Sequence, residues 1–378
     1  MLSFWRVAFP SMLIGFSVFS LSSPGVSQEN TAQDQSFDQV FAEWKDLLKE
    51  LRDLRARFGI AEEAEVAEIR NQYNQRIQAG HKMVPRLRET ALRQYLVAPN
   101  TDPELTTFLI QLADDGVKTD QYEAAFQIAD ALVQNDCDQK SLYDIAGTAA
   151  FCTNRFDEAD KYLQQAQQLE VLNFGEKYLP GVATAKENWA EELKIREAEA
   201  KADDLPRVRF ITDRGEIVLE LFENEAPETV GNFIQLVEKG FYDGLAFHRV
   251  LPGFMAQTGC PNGDGSGGPG YTIFCETQRD DFRRHFAGSL SMAKTPNPHT
   301  GGSQFFMTFV PTSGLDGQHT VFGRVLKGQE ALAQIQRRDP DRSEQLIIVP
   351  DKIVKAEVIR KRPNRQYTPN KSSEVVAE

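Results

Sequence analysis

Eleven consecutive residues, Phe247-His248-Arg249-Val250-Leu251-Pro252-Gly253-Phe254-Met255-Ala256-Gln257, set one arginine, one amide and two large apolar side chains around a Pro-Gly turn. About 45 residues later comes Gly302-Ser303-Gln304-Phe305-Phe306, followed by Leu315-Asp316-Gly317-Gln318-His319. The set supplies a cation, amide donors and acceptors, and apolar walls. It supplies no nucleophile: there is no G-x-S-x-G elbow, no H-E-x-x-H and no Cys/His pair with an evident partner. Gly263-Asp264-Gly265-Ser266-Gly267-Gly268 satisfies G-x-G-x-x-G, yet Pro269 and Gly270 stand where a phosphate-binding helix should begin. It reads as a surface loop. The chemistry these residues suit is non-covalent: an apolar pocket that grips a group, beside a cation that can stabilise a redistributed charge.

In this order and spacing the three blocks resemble the cyclophilin family of peptidyl-prolyl isomerases, from about Val208 to Arg360. The resemblance implies a closed antiparallel eight-stranded β-barrel with capping helices, acting on X-Pro bonds without cofactor or metal. Amide resonance sets a barrier of roughly 18–20 kcal/mol to that rotation. A catalyst must hold the proline ring, hold the flanking peptide, and favour the twisted bond, whose nitrogen carries a lone pair that the planar amide lacks. A rate gain of ~10⁵ would need about 7 kcal/mol in all. The family pattern makes Arg249 the catalytic cation. It places Phe254, Met255, Phe306 and Leu315 around the proline ring and Gln257 on the substrate backbone. Ala293 and Gln304 fall along the groove, and His319 flanks the pocket as a neutral imidazole. His248 reads as structural.

Three positions depart from the family. Gly314 stands where many cyclophilins carry a tryptophan that contributes to cyclosporin binding, which puts sensitivity to that drug in doubt but not isomerase activity. Lys294 replaces a common asparagine and adds charge to the groove wall. Cys260 follows Gly259 where aspartate or glycine is usual. Cys260 and Cys275 lie 15 residues apart across the Gly-rich loop, either as a disulfide or as two small buried thiols, and both readings stand. Cys137 and Cys152 are expected to be unpaired, because a helix over Lys140–Cys152 would separate them beyond the roughly 7 Å Cα limit.

Elements must position these groups. Val208, Phe210 and Ile217-Val218-Leu219 with Leu221 form two strand-like runs around Thr212-Asp213-Arg214-Gly215, a hairpin signal. Pro227–Lys239 reads as a helix with Val230, Phe233, Ile234 and Val237 on one face and Gly240 at its end. Short apolar runs punctuated by Gly and Pro follow, then a last strand over Asp351–Ile359 and a polar tail, Arg362–Glu378, expected to be disordered.

Upstream, Ser36–Pro206 reads as helical. Val40, Phe41, Trp44, Leu47, Leu48, Leu51 and Leu54 recur at three- and four-residue steps, and Gly59 supplies a stop. Val66–Ile77 and Leu87–Leu96 continue in kind, with Pro85, Pro99 and Pro103 as breaks. Asp120-Gln121-Tyr122-Glu123-Ala124-Ala125 aligns with Asn154-Arg155-Phe156-Asp157-Glu158-Ala159 at an offset of 34 residues. That period resembles tetratricopeptide repeats, and a generic array of helical hairpins fits it equally. Glu187–Asp204 is a charge-rich helix ended by Leu205-Pro206. The predicted organisation is a signal peptide over 1–27, a helical region over 28–206, an isomerase domain over 207–361 and a tail over 362–378.

The net charge of −13 is uneven. Gln28–Pro206 holds 20 basic and 34 acidic residues, whereas Arg207–Glu378 holds 21 of each. A nucleic-acid partner has no electrostatic support, and the acidity suits a solvated helical surface. At the N-terminus, Arg6, the apolar run Val7–Leu21 and the small residues of Ser22–Ser27 read as a secretory signal cleaved after Ser27. An uncleaved anchor is the alternative, although the run is short of the about 20 apolar residues a span needs. The expected location is periplasmic or extracellular. The expected partners are unfolded or extended proline-containing chains, with a protein partner on the helical region. A holdase chaperone that binds proline peptides with little turnover, or an assembly scaffold, are the readings from other functional classes.

Overall fold

The computed structural model describes residues 36–342, 349–368 and 370–374, so the expected signal peptide over 1–27 lies outside the described residues. The chain divides into two compact units. One comprises the described residues up to Asp115 together with Gln127–Leu142, and the other comprises Gly116–Phe126 and the described residues from Tyr143 onward. The boundary predicted at Pro206 falls inside the second unit.

In the first unit, α1 (Phe37–Phe58) opens with a capping box in which Ser36 Oγ accepts from the Gln39 amide at 3.4 Å and Gln39 Oε1 accepts from the Ser36 amide at 3.1 Å. Of its predicted stripe, Val40, Phe41, Trp44, Leu47, Leu51 and Leu54 are buried and Leu48 is half-buried, and α2 (Glu63–Val97) packs along it. Pro85 does not break α2, contrary to the sequence expectation. An interior proline costs about 3 kcal/mol. Here the buried residues on both sides of it, Ile69, Tyr73 and Gly80 before and Leu87, Ala91 and Tyr95 after, hold the helix through it. A Cβ on Gly80 would come within 3.2 Å of Leu47, so glycine permits the close approach of α2 to α1.

A structural repeat follows along the chain. Helices α3 (Pro103–Lys118) and α4 (Tyr122–Gln134) flank Asp120, and α5 (Leu142–Cys152) and α6 (Phe156–Gln168) flank Asn154. Asp120 and Asn154 have φ of 63° and 62°, the left-handed conformation that Asp and Asn tolerate better than most residues. The residue after each donates its amide back to the preceding helix at 2.8 Å, Gln121 to the Gly116 carbonyl and Arg155 to the Ala150 carbonyl. The 34-residue offset is therefore a repeat of backbone conformation as well as of sequence. Helix α7 (Val182–Ala202) follows.

Among the described residues ten strands follow: β1 (Arg207–Thr212), β2 (Gly215–Leu221), β3 (Arg249–Leu251), β4 (Met255–Thr258), β5 (Tyr271–Ile273), β6 (Ser289–Met292), β7 (Phe305–Thr308), β8 (Val321–Lys327), β9 (Ile353–Arg360) and β10 (Lys371–Glu374). Eight of them form one antiparallel sheet in the order β3-β4-β7-β6-β8-β2-β1-β9. The sheet is an open half-barrel, which corrects the closed barrel expected from the sequence. Its edge strands β3 and β9 share no ladder. Among the described residues the bridge Ala246↔Lys352 and nearby backbone bonds, such as the Phe247 amide to the Asp351 carbonyl, span the seam. The chain enters β3, three residues long, through turns at Gly240 and Gly244, both at positive φ. One face of the sheet packs an aromatic core of Phe210, Phe305 and Phe322 against Phe233 of α8 (Pro227–Glu238), with Tyr242 alongside.

The expected disorder of Arg362–Glu378 is corrected over part of its length. Lys371–Glu374 pairs with β5 as β10, and Thr368 lies against Gly231 of α8, where the absence of a side chain admits the passing backbone. Helix α7 joins the sheet through buried charge. Arg283, with its side chain 1% exposed, pairs with Glu192 at 2.6 Å and Glu199 at 2.5 Å and lies 3.7 Å over the Phe222 ring. Arg324 of β8 completes the network with Glu199 and Glu220.

Candidate active site

Strands β3, β4, β7 and β6 run side by side and carry most of the candidate residues in register. Arg249 lies opposite Gln257, Gln257 opposite Phe306, and Phe306 opposite Ser291. Because facing residues of neighbouring strands project to one side of the sheet, Arg249, Gln257 and Phe306 form a row. The Pro252-Gly253 turn folds β3 back onto β4, and Gly253 takes φ of 64°, a conformation that glycine adopts at no steric cost.

Arg249 is partly exposed. Its Nη1 lies 3.5 Å from Gln257 Oε1, and its guanidinium lies 6.0 Å from the Phe254 ring centre. No described carboxylate pairs with it, whereas Arg207, Arg209, Arg214, Arg324 and Arg360 of the same domain are all ion-paired. Gln257 Nε2 donates to Gln304 Oε1 at 3.1 Å, and Gln304 Nε2 donates to the carbonyls of Gly265 and Gly267 at 2.7 and 2.9 Å. The Gly-rich loop thus holds Gln304, which fixes the amide orientation of Gln257. Ala293 donates its amide to the Gln304 carbonyl at 2.9 Å and forms the adjoining wall.

Phe306 is 4% exposed and Met255 1% exposed, whereas Phe254 and Leu315 are partly exposed. The His319 ring meets Phe306 edge-on at 5.7 Å, and its Nδ1 donates to the Met292 carbonyl at 3.0 Å. That bond leaves Nε2 unprotonated, and burial holds the imidazole below the ordinary histidine range, so His319 is neutral at neutral pH. Beneath Phe306 the His285 ring stacks in parallel at 6.0 Å. It is held by Asp316 at Nδ1 and by Ser291 at Nε2, each at 2.9 Å. Sequence reasoning missed this buried His285–Asp316 prop, although Asp316 lies inside the Leu-Asp-Gly block. His248 is buried, and burial lowers its pKa.

The Cys260–Cys275 disulfide is not formed, which corrects one of the two sequence readings. Cys260 Sγ accepts the amides of Gly265 and Gly267 at 3.2 Å, while Cys275 Sγ lies 3.2 Å from Thr277 Oγ1. Each sulfur is committed to a different loop. Cys137 and Cys152 are also unpaired, as expected, and burial raises the Cys152 thiol to about 12.

The arrangement offers apolar side chains in one row with a cation, and amides that could hold a peptide backbone. A family model described as cyclophilin type peptidyl-prolyl cis-trans isomerase/CLD matches residues 207–358. A peptidyl-prolyl cis-trans isomerase of Synechococcus elongatus is 49% identical over 140 residues, which cover 37% of this chain and 94% of the relative. Peptidyl-prolyl cis-trans isomerase B of Bacillus subtilis is 51% identical over 130 residues, 34% of this chain and 90% of the relative. A Helicobacter pylori isomerase is 46% identical over 150 residues, 38% of this chain and 91% of the relative. With nearly whole relatives matched at about half identity, the chain belongs to the cyclophilin-type peptidyl-prolyl cis-trans isomerases.

Proposed function

We propose that this protein accelerates rotation about X-Pro bonds in unfolded or extended polypeptides after export, with Arg249 as the group that favours the twisted amide. The observation that carries this reading is a partly exposed guanidinium with no described carboxylate partner, set beside Gln257 and in one row with Phe306. The proline ring enters the hollow against Phe306, Met255, Phe254, Leu315 and His319. Gln257, steadied by Gln304, holds the flanking backbone. As the C–N bond twists, the prolyl nitrogen becomes pyramidal and gains a lone pair, to which Arg249 donates. A bond made only in the twisted state lowers the barrier without tightening the ground state. No bond is made or broken covalently, and no proton is transferred.

The helical residues upstream are read as tetratricopeptide-like hairpins that present a surface to a protein partner, and Val7–Leu21 as the apolar core of a secretory leader. Two measurements test these proposals. The isomerisation rate of a short X-Pro peptide is compared between the whole chain and Arg249→Ala. The substitution is expected to lower kcat about 10²–10³-fold, the usual cost of one transition-state donor. A full rate in the variant rejects the role of Arg249. For export, the protein recovered outside the cytoplasm is expected to begin after Ser27 by N-terminal sequencing, and cytoplasmic recovery with the leader intact rejects the export reading.

A further inference from the structure

The two repeat turns of the helical segment each reach one leg of the proline hollow. Asp120 Oδ1 accepts the Gly253 amide at 2.7 Å, and its Oδ2 takes Arg337 Nε at 2.9 Å and Nη2 at 2.5 Å. The carboxylate is buried, with Tyr122 donating its hydroxyl to Oδ1 at 3.0 Å. Arg337 in turn lies 4.5 Å over the Phe309 ring, and the Phe309 amide donates to the Phe254 carbonyl at 2.9 Å. One carboxylate thus holds the Pro252-Gly253 turn directly and the segment beyond it through Arg337. Arg249 lies four residues before Gly253, and Phe254 comes directly after it.

Asn154 occupies the equivalent place 34 residues on. Its Oδ1 accepts the Ala287 amide at 2.9 Å and its Nδ2 donates to the Ala287 carbonyl at 3.2 Å. Ala287 follows by two residues the His285 that stacks beneath Phe306. The left-handed backbone at both turns presents a short polar side chain, and each is spent on a main-chain group of the isomerase domain. Neither Asp120 nor Asn154 lies within residues 207–358, the part of the chain that matches the family model.

We propose that Asp120 is a positioning residue for the isomerase reaction: it fixes the β3–β4 turn and thereby the placement of Arg249 and Phe254, so the helical repeat is a working part of the active site. The proposal rests on the isomerase reading above. Hydrogen bonds to an ionised, buried acceptor are among the stronger ones in proteins, and small displacements of a catalytic group cost rate steeply.

The test uses the full chain and a short X-Pro peptide at low temperature. Asp120→Ala is expected to lower kcat about tenfold with KM changed less than threefold, and to expose the Gly253 amide to hydrogen exchange. Asp120→Asn keeps an oxygen acceptor for Gly253 and is expected to recover at least half of the wild-type kcat. Asp144→Asn serves as a control for stability alone. Asp144 accepts the amides of Asn173, Phe174 and Gly175, all at 2.9 Å, inside the helical segment. It is expected to lower the melting temperature and leave kcat unchanged. If Asp120→Ala does not fold, Asp120→Ser takes its place, with a loss of at least threefold expected. An Asp120 variant that loses the Gly253 bond and turns over within twofold of the wild type overturns the inference. A wild-type chain with no isomerase activity would instead sink the isomerase reading itself, so the two failures are distinguishable.

Discussion

Two arginines of one domain live in opposite surroundings. Arg283 is 1% exposed at its side chain, is paired with Glu192 and Glu199, and is pressed against Phe222. Arg249 is partly exposed, and among the described residues its hydrogen-bond partner is the Gln257 amide oxygen at 3.5 Å. A buried cation surrounded by carboxylates has its charge fully committed to the fold, and it joins α7 to the sheet. A cation left without a counter-charge beside an apolar hollow costs the fold little and keeps its donors for a ligand. The same side chain therefore serves attachment in one place and chemistry in the other, and the difference lies in what its neighbours have already satisfied.

Substitution should separate the two. Arg283→Ala leaves Glu192 and Glu199 buried without their main partner, and breaking such a network by one member typically costs about 3–5 kcal/mol. Denaturant unfolding of the whole chain should show that loss, while the isomerase rate per folded molecule at low temperature stays within threefold of the wild type. Retention of full stability would mean that the network is not what holds α7. Arg249→Ala is the mirror image. Its kcat falls by about 10²–10³, yet its stability stays within about 0.5 kcal/mol, as for a surface change away from buried features. A variant that lost both activity and stability equally would dissolve the contrast between the two sites.

The sequence made the near side of this contrast legible and hid the far side. Arg249, Gln257 and Phe306 could be found because three short blocks resemble the cyclophilin pattern in order and spacing, and such blocks are local signals that survive in a linear reading. The α8 stripe of Val230, Phe233, Ile234 and Val237 was legible for the same reason, and all four residues are buried. Arg283 gave no such signal. Its partners lie 84 and 91 residues away, and a charge-rich helix such as Val182–Ala202 reads as solvated until something packs on it. The prop of His285 and Asp316 under Phe306 was hidden by a separation of 31 residues. Asp120 and Asn154 were visible as a repeat, but nothing local says that a repeat turn will receive the Gly253 and Ala287 backbones. Closure of the sheet was over-read from resemblance. The seam depends on the short entry into β3, a detail of turn geometry that apolar runs do not encode. Pro85 was over-read as a break because a residue rule cannot count the packing on either side of it.

The smallest expected effect is the dependence of the α7 attachment on pH. Burial pushes the Glu192 carboxyl up, but the hydrogen bond and charge of Arg283, with those of Arg196, outweigh it, so the group stands below its ordinary value. A carboxyl whose folded value is depressed adds stability that is complete above its unfolded value, near 4.3. That stability is lost as pH falls through the folded value. Glu225 lies 3.7 Å from Arg283 and acts in the opposite sense, since burial raises its carboxyl, and its protonation on acidification partly offsets the loss. Glu192→Gln should therefore be less stable than the wild type at pH 7. The gap should begin to close below about pH 4.5 and vanish at lower pH, where the wild-type Glu192 is itself protonated. Paired urea titrations of both proteins across pH 7 to 3 would measure the gap. A difference that stays constant over that range would mean that Glu192 contributes by shape and hydrogen bonding, with no share from its charge, and that Arg283 is held against α7 as a packed donor rather than as one half of an ion pair.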